Sequence, residues 1–140
     1  MKRKNILGII SGFIFGFIAS LPWLLVYIYG NYLLSLLTFI IPFGVYYGYL
    51  AFNKEPKNNL KLIIAIISII ITILLTMIIM PLVTLYNSNY DVSLFNLRIL
   101  YESGSYKVAI TENIIISMVF LCLGFGGVLA KINPKKIKNK

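Results

Sequence analysis

The side chains that could take part in chemistry in this 140-residue sequence are mainly hydroxyls inside apolar runs. The sequence contains no histidine, a single cysteine (Cys122) and four carboxylates, so it cannot form a Ser–His or Cys–His pair for nucleophilic catalysis. A zinc site with the usual His and Cys ligands is excluded for the same reason. Proton pumps, ion-coupled carriers and intramembrane proteases use charged groups deep in the membrane, and none lies deep in an apolar run here. We therefore predict a protein that is not an enzyme and that uses no cofactor or metal.

The hydroxyls form two stripes that could line a path for a solute. Ser68, Thr72 and Thr76 fall on one face of a helix, and Ser35 and Thr38 fall on one face of another. In membrane helices, such hydroxyls more often bond to the backbone of their own helix or to a neighbouring helix. The structural role is the favoured interpretation, and a polar path is the alternative.

The runs that carry these stripes are long enough to cross a bilayer. Hydrophobic residues make up 59% of the sequence and charged residues 12%, compared with about half and a quarter in soluble domains. Because one helix crosses with about 20 residues, the charge-free run 5–53 must hold two spans, with Gly30 and Asn31 at the corner. We predict a single all-α domain, an integral membrane bundle of four transmembrane helices. The predicted spans are 6–29, 32–52, 62–82 and 113–131, with an outer loop at 86–111 and a basic tail at 132–140.

Basic residues set the predicted orientation of these spans. Eleven of the 13 precede the first span, separate the second from the third, or follow the fourth, which predicts that both termini are cytoplasmic. The net charge of +9 is thus an orientation signal and predicts no nucleic-acid partner, although the tail could contact anionic lipid headgroups. Aromatic residues near the predicted span ends, including Trp23, Tyr27 and Tyr49, are typical of interfacial belts.

Small residues recur at every fourth position of the first span and would form one groove along its helix. Lipid is as apolar as leucine, so membrane helices associate by close packing at such residues. The second span repeats the spacing, and the fourth carries two glycines on the face of Ser117. We predict that these faces pack within the chain, or against another membrane protein or a second copy. The predicted helix-packing residues are Gly8, Gly12, Gly16, Ser20, Gly44, Gly48, Gly124 and Gly127.

The loop before the fourth span contains the apolar segment SLFNLRILYE. The favoured interpretation is a short interfacial helix, capped by Asp91 or Ser93 and ended by Gly104. A β-hairpin is the alternative, because apolar and polar residues alternate on both sides of ESGS. Thr111 is predicted to cap the fourth span, and the third is predicted to close near Pro81.

The first hairpin resembles a module of small, uncharacterised bacterial membrane proteins with four spans. The shared features are a G-x3-G start, a Pro-Trp pair, a glycine at the corner and a final GY pair. They correspond to Gly8, Gly12, Pro22, Trp23, Gly30, Gly48 and Tyr49. The resemblance covers about the first third of the chain and implies a multi-pass protein of the bacterial cytoplasmic membrane, without a particular activity.

These features predict a non-catalytic integral membrane protein that acts through helix–helix packing as an accessory subunit or membrane-embedded partner. Its expected partners are the lipid bilayer and another membrane protein or a second copy. The alternative is a small oligomeric transporter or pore component that uses the hydroxyl stripes. A further alternative is an immunity-type protective membrane protein that presents its outer loop.

Overall fold

The computed structural model of the chain describes residues 3–30, 35–53 and 59–132, and these residues are almost entirely helical. They contain no strand and four helical segments long and apolar enough to cross a membrane. The prediction of an all-α chain with four such helices is therefore confirmed. The four segments, called spans one to four, are Lys4–Tyr29, Ser35–Phe52, Leu60–Asn87 and Gly104–Ile132.

Only the first and fourth spans are single α-helices. The second combines a 3-10 segment with an α-helix, and a π-helical segment joins two α-helices in the third. The helices are α1 (Arg3–Gly30), α2 (Ile41–Phe52), α3 (Leu60–Leu74), α4 (Met80–Asn87), α5 (Leu94–Glu102) and α6 (Gly104–Ile132), with the 3-10 segment at Ser35–Ile40 and the π segment at Leu75–Ile79.

The second span lies between the first and the fourth. It is antiparallel to α1 and parallel to α6, as expected for spans that cross a membrane alternately. These directions follow from pairs of contacting residues, which are Gly8–Tyr49 and Gly16–Gly44 between α1 and the second span, and Ser35–Asn113 and Tyr47–Lys131 between the second span and α6. Buried aliphatic side chains, among them Val45, Ile71 and Val128, fill the space between the spans.

Three aromatic residues assigned to the interfacial belts face this core instead. Trp23 is 2% exposed, and Tyr27 and Tyr49 are also buried. The Tyr27 hydroxyl lies 2.5 Å from Thr84 Oγ1, and the Tyr49 hydroxyl accepts a 2.9 Å hydrogen bond from Asn53 Nδ2. Because these phenol groups find partners inside the protein, they do not need the headgroup region for hydrogen bonding.

The third span continues through Pro81, so the prediction that it closes there is wrong. In the π segment before this proline, the Met80 N–H bonds to the Leu75 carbonyl, one residue further back than in an α-helix. The wide turn accommodates a proline, which has no N–H to donate and whose ring crowds the preceding turn. Pro42 has a comparable place in the first turn of α2, directly after the 3-10 segment.

The segment between the third and fourth spans forms a helix, α5, rather than a hairpin. Ser93 caps it by accepting a 3.2 Å hydrogen bond from the Asn96 N–H. The helix ends at Glu102, and Gly104 begins α6 instead of terminating α5.

Helix α6 begins at Gly104, well before the predicted start of the fourth span at residue 113. The cap predicted at Thr111 is therefore wrong: its hydroxyl bonds to the Lys107 carbonyl at 2.8 Å within the helix. The Tyr101 and Tyr106 rings pack edge to face, with centroids 6.0 Å apart, and join the first turn of α6 to α5. The predicted start of the fourth span is residue 113 because Glu112 precedes it. A charged residue can end the membrane-embedded part of a helix without ending the helix itself, which here continues back to Gly104.

The described charges separate between the two ends of the spans. Lys4, Lys61 and Lys131 lie at one end, called the basic end, where Asn5 and Asn53 join the start of α1 to the end of α2 at 2.8 Å. The opposite end, called the α5 end, carries Asp91, Arg98, Glu102, Lys107 and Glu112. The predicted corner residue Asn31, the loop 54–58 and the tail from 133 lie outside the described residues.

Candidate functional site

A polar cluster lies buried between the second, third and fourth spans. Asn113 of α6 accepts a hydrogen bond through Oδ1 from the Ser35 hydroxyl, and its Nδ2 lies 3.1 Å from Met80 Sδ. All the polar side chains of this contact are buried. Asn113 thus links the 3-10 segment of the second span to the residue that follows the π segment of the third. Sequence reasoning missed Asn113, although an amide just inside an apolar run is a usable signal.

A second hydrogen-bonded contact lies one turn further along α6. Thr38 Oγ1 lies 2.6 Å from the Ser35 carbonyl and 3.0 Å from the Ser117 carbonyl, so its one proton serves one or the other. The Ser117 hydroxyl is buried and has no partner among the described residues. The predicted path residues Ser35 and Thr38 therefore join two helices.

The hydroxyls of the third span bond mainly within their own helix. Thr72 Oγ1 donates to the Ser68 carbonyl at 2.9 Å, and Thr76 Oγ1 donates to the Thr72 carbonyl at 2.6 Å. Ser68 is fully buried, and its hydroxyl has no partner in the described part of the chain. The structure gives Thr72 and Thr76 the backbone-bonding role that membrane hydroxyls commonly take.

The chemistry of the buried cluster is that of neutral hydrogen-bonding groups. Its members are serine, threonine, asparagine and methionine, none of which titrates near neutral pH. The described residues contain no group of three or more His, Cys, Asp or Glu side chains that could hold a metal ion. The cluster can align helices or bind a small neutral group, and it contains no group suited to proton transfer.

The glycine groove of α1 lies against α2. A Cβ atom built on Gly12 would meet the Val45 carbonyl oxygen at 3.2 Å. From the other side, a Cβ on Gly48 would meet the Ser11 carbonyl oxygen at 2.7 Å. A Cβ on Gly44 would come equally close to α1, and Gly8 faces the Tyr49 ring. Backbone therefore approaches backbone along this contact, which side chains larger than hydrogen would prevent.

Two further small residues of the predicted set complete these contacts. Ser20 is buried, and its hydroxyl donates to the Phe17 carbonyl of the same helix at 2.6 Å. A Cβ on Gly16 would meet Val45 Cγ2 at 2.5 Å and Ile71 Cδ1 at 2.6 Å, so Gly16 lies where α1, α2 and α3 meet.

The fourth span makes the tightest glycine contact. A Cβ on Gly124 would lie 2.1 Å from the Phe39 carbonyl oxygen, and a Cβ on Gly127 would lie 2.7 Å from the Phe43 ring. Gly126 differs, because nothing lies within 4 Å of its Cβ position. All the predicted packing glycines therefore face a neighbouring helix of the same chain, whereas Gly126 faces outward.

One basic side chain at the basic end is held by aromatic groups of the second span. Lys131, in the last turn of α6, donates to the Tyr47 hydroxyl, and its Nζ lies 5.5 Å from the centroid of the Phe43 ring. A lysine near the C-terminus of a helix also interacts favourably with the helix dipole.

At the α5 end, a hydrogen bond joins α5 to the irregular part of the third span. The Tyr101 hydroxyl donates to the Met77 carbonyl, the group that an ordinary residue at position 81 would bond in an α-helix and that Pro81 cannot. Partial burial raises the pKa of the Tyr101 hydroxyl above its ordinary value, so it remains a protonated donor at neutral pH.

Comparison of this chain with protein-family models, with curated proteins and with solved structures finds no match. The resemblance of the first hairpin to small bacterial membrane proteins therefore stays a prediction.

Proposed function

We propose that this chain is a non-catalytic, multi-pass protein of the bacterial cytoplasmic membrane that serves as an accessory subunit of another membrane protein. The observation that carries the proposal is the outward position of Gly126. Seven glycines of the described spans each lie against a neighbouring helix, whereas Gly104 and Gly126 have no neighbouring atom within 4 Å of their Cβ positions. Gly104 is the first residue of α6 and precedes the apolar run, so Gly126 is the exception inside that run. The other intramembrane glycines of the described spans are places where a helix packs, and we infer that at Gly126 this helix comes from another molecule.

The surface around Gly126 is apolar and suited to a membrane-embedded partner. Cys122 lies one turn before it, and Val119 and Leu123 on the same side of α6 are 56% and 63% exposed. Cys122 and Gly126 are both small, so a second helix could approach the α6 backbone closely there. No charged residue lies between Glu112 and Lys131, so this surface offers no counter-charge and suits a partner helix that has no charged side chain at the contact.

Filling the Gly126 notch tests the accessory role. Gly126→Leu should abolish co-purification of a stoichiometric membrane partner from mild detergent, while the melting temperature stays within a few degrees of wild type, because position 126 is exposed and its Cβ would meet no neighbouring helix of its own chain. Ala51→Leu places the same side chain at another exposed position and should retain the partner. Equal retention of the partner by both variants, or purification of the wild-type chain alone, would contradict the proposal.

The proposed orientation places both termini and the basic end in the cytoplasm. It is supported by Lys4, Lys61 and Lys131 at that end, since basic residues stay on the cytoplasmic side. The opposite end has three carboxylates, and one of its two basic residues, Arg98, pairs with Glu102 at 2.8 Å. Among the described residues of the α5 end, Lys107 is the only basic side chain that forms no salt bridge.

Single cysteines introduced into a Cys122→Ala background test this orientation. Positions 89 and 105 at the α5 end should react with a membrane-impermeant thiol reagent in intact cells. Positions 59 and 138, at the basic end and in the tail, should react only after the membrane is permeabilised. The reverse pattern would overturn the orientation, and equal reaction at all four positions would overturn the membrane insertion itself.

A transporter or pore component is the second candidate, and the irregular backbone favours it. Non-α backbone at membrane depth commonly lines a cavity or a substrate site, and the chain has both a 3-10 and a π segment, linked through Asn113. Purified protein in liposomes should pass protons and K⁺ no faster than empty liposomes if the accessory role is right. A flux that Asn113→Leu removes at unchanged folded yield would favour the transporter.

A further inference from the structure

A cleft of about 390 Å³ opens between α4 and α5 at the α5 end. Its volume lies within the range of about 300–1,000 Å³ that is usual for small-molecule sites. Leu85, Ile99 and Leu100 supply aliphatic surface, and Thr84, Ser88 and Asn96 supply hydrogen-bonding groups. An apolar wall with a few polar groups is typical of a site for an amphiphile.

Hydrogen bonds fix the two elements that border the cleft. The Tyr101 hydroxyl bonds α5 to the Met77 carbonyl of the third span. On the other side, the Tyr90 N–H bonds to the Leu85 carbonyl at 3.0 Å, and Asn89 turns the chain with a positive φ of 56°. Because Tyr101 attaches α5 to the third span and the turn after α4 is fixed by its own backbone, the gap between α4 and α5 exists before any ligand binds, which reduces the cost of binding.

The polar groups of the cleft are neutral, and some of them are available to a ligand. Thr84 is engaged, since its hydroxyl contacts both Tyr27 and the Met80 carbonyl. The Ser88 and Tyr90 hydroxyls form no hydrogen bond with the rest of the described chain. Hydroxyls donate and accept, so they match the hydroxyl groups of a ligand, whereas a phosphate is usually bound by Arg, Lys or exposed backbone N–H groups.

None of the described residues that line the cleft is charged. Arg98, the basic residue of α5, is directed to Glu102 at 2.8 Å, and both side chains are mostly exposed. The first backbone N–H groups of α5 are also partly occupied, since Ser93 accepts from Asn96. An anionic headgroup would therefore find no counter-charge in the cleft.

The position of α5 indicates where the ligand comes from. Leu94 is 87% exposed and Phe95 is 72% exposed, directly beside the end of the third span. Large apolar side chains exposed on a short helix at the end of a span favour burial in the interfacial layer of the bilayer. We propose that the α4–α5 cleft binds a membrane lipid with an uncharged, hydroxyl-bearing head group, of which diacylglycerol is the simplest example. This inference rests on the proposed membrane insertion and is independent of the proposed partner.

Native mass spectrometry of the full chain in detergent tests the proposal, with diacylglycerol, phosphatidylcholine and phosphatidylglycerol added in equal amounts. Wild-type protein should retain diacylglycerol in preference to both phospholipids. Leu100→Trp places bulk in the cleft and should reduce the diacylglycerol-bound fraction at least tenfold. Leu94→Trp adds the same bulk to an exposed position of α5 outside the cleft and should leave that fraction unchanged.

A second pair of variants keeps the test valid if Leu100→Trp fails to fold. Ser88→Ala removes one available hydroxyl from an exposed position and should weaken diacylglycerol binding about three- to tenfold, the effect of losing one hydrogen bond. Ser105→Ala, outside the cleft, should have no effect. Preference for phosphatidylglycerol, or equal binding by Ser88→Ala and Ser105→Ala, would overturn the proposal. Because the readout is bound lipid, loss of a protein partner would leave the result intact.

Discussion

Gly124→Ala is expected to destabilise the protein by about 2–3 kcal/mol, at the upper end of what overpacking usually costs. The alanine Cβ would lie 2.1 Å from the Phe39 carbonyl oxygen and within 3 Å of the carbonyl carbon and Cα of the same residue. All three contacts are backbone atoms, so no side-chain rotation can relieve them. The 3-10 segment would have to move away from α6, and the Ser35–Asn113 contact lies on the same interface.

The measurement is thermal unfolding in detergent, followed by circular dichroism, with Gly126→Ala as the matched control. Gly126 lies two residues away in the same helix and has no neighbour within 4 Å of its Cβ position. Its replacement by alanine, the better helix former, should leave stability equal or slightly higher. If both variants unfold at the same temperature, the close approach of α6 to the 3-10 segment is not present in the protein.

The four membrane-length helices follow from composition and length alone. Charge-free runs of apolar residues have no stable place in water, and a helix is the structure that satisfies their backbone groups in lipid. The spacing of glycines likewise indicates which faces allow close approach, because residues four apart share a face whatever the neighbours are. Which helix fills each groove depends on the tertiary arrangement. Gly16, for example, faces both α2 and α3.

The irregular parts of the spans could not be predicted from local sequence patterns. Pro81 signals the end of a helix, yet the third span passes through it because the π segment widens the preceding turn. A π segment has no strong signature, since its stability depends on the groups that satisfy the freed carbonyls. Here the Tyr101 hydroxyl, 24 residues further along the chain, bonds to Met77. Such a distant partner is set by tertiary packing.

Parts of the candidate site were visible in the sequence, and parts were not. Ser35, Thr38, Thr72 and Thr76 were identified by type and spacing, because hydroxyls in apolar runs are conspicuous. Their partners cannot be identified in this way. Thr38, Thr72 and Thr76 donate to backbone carbonyls, which every residue has, and Ser35 donates to the distant side chain of Asn113. The predicted fourth span begins at residue 113, which gives Asn113 no partner; its contacts depend on α6 extending back to Gly104 and on the second and third spans beside it.

Gly16→Leu is expected to disrupt the junction of three helices and to cost at least about 3 kcal/mol. A Cβ at this position would already meet Val45 Cγ2 at 2.5 Å and Ile71 Cδ1 at 2.6 Å, and leucine adds three more carbons in the same space. Those methyl groups belong to the buried core, where Val45 and Ile71 are fully covered, so they have no free volume to enter. Leucine is a better helix former than glycine, so α1 itself should still form.

The decisive comparison is with leucine at positions of α1 that face outward. Ile14 and Ile18 are 50% and 52% exposed, and Ile14→Leu and Ile18→Leu should unfold within a degree or two of wild type. Val45→Ala removes Cγ2, the atom nearest the Cβ position of Gly16, so adding it to Gly16→Leu should recover part of the lost stability, whereas Val45→Ala alone should destabilise. Val45→Ala would then destabilise the wild type but stabilise Gly16→Leu, and the difference between the two effects is the coupling energy, expected at about 1–3 kcal/mol for residues in contact. If the double variant is instead less stable than Gly16→Leu by the full effect of Val45→Ala, the two residues do not touch, and α1 does not pack on α2 through its glycine groove.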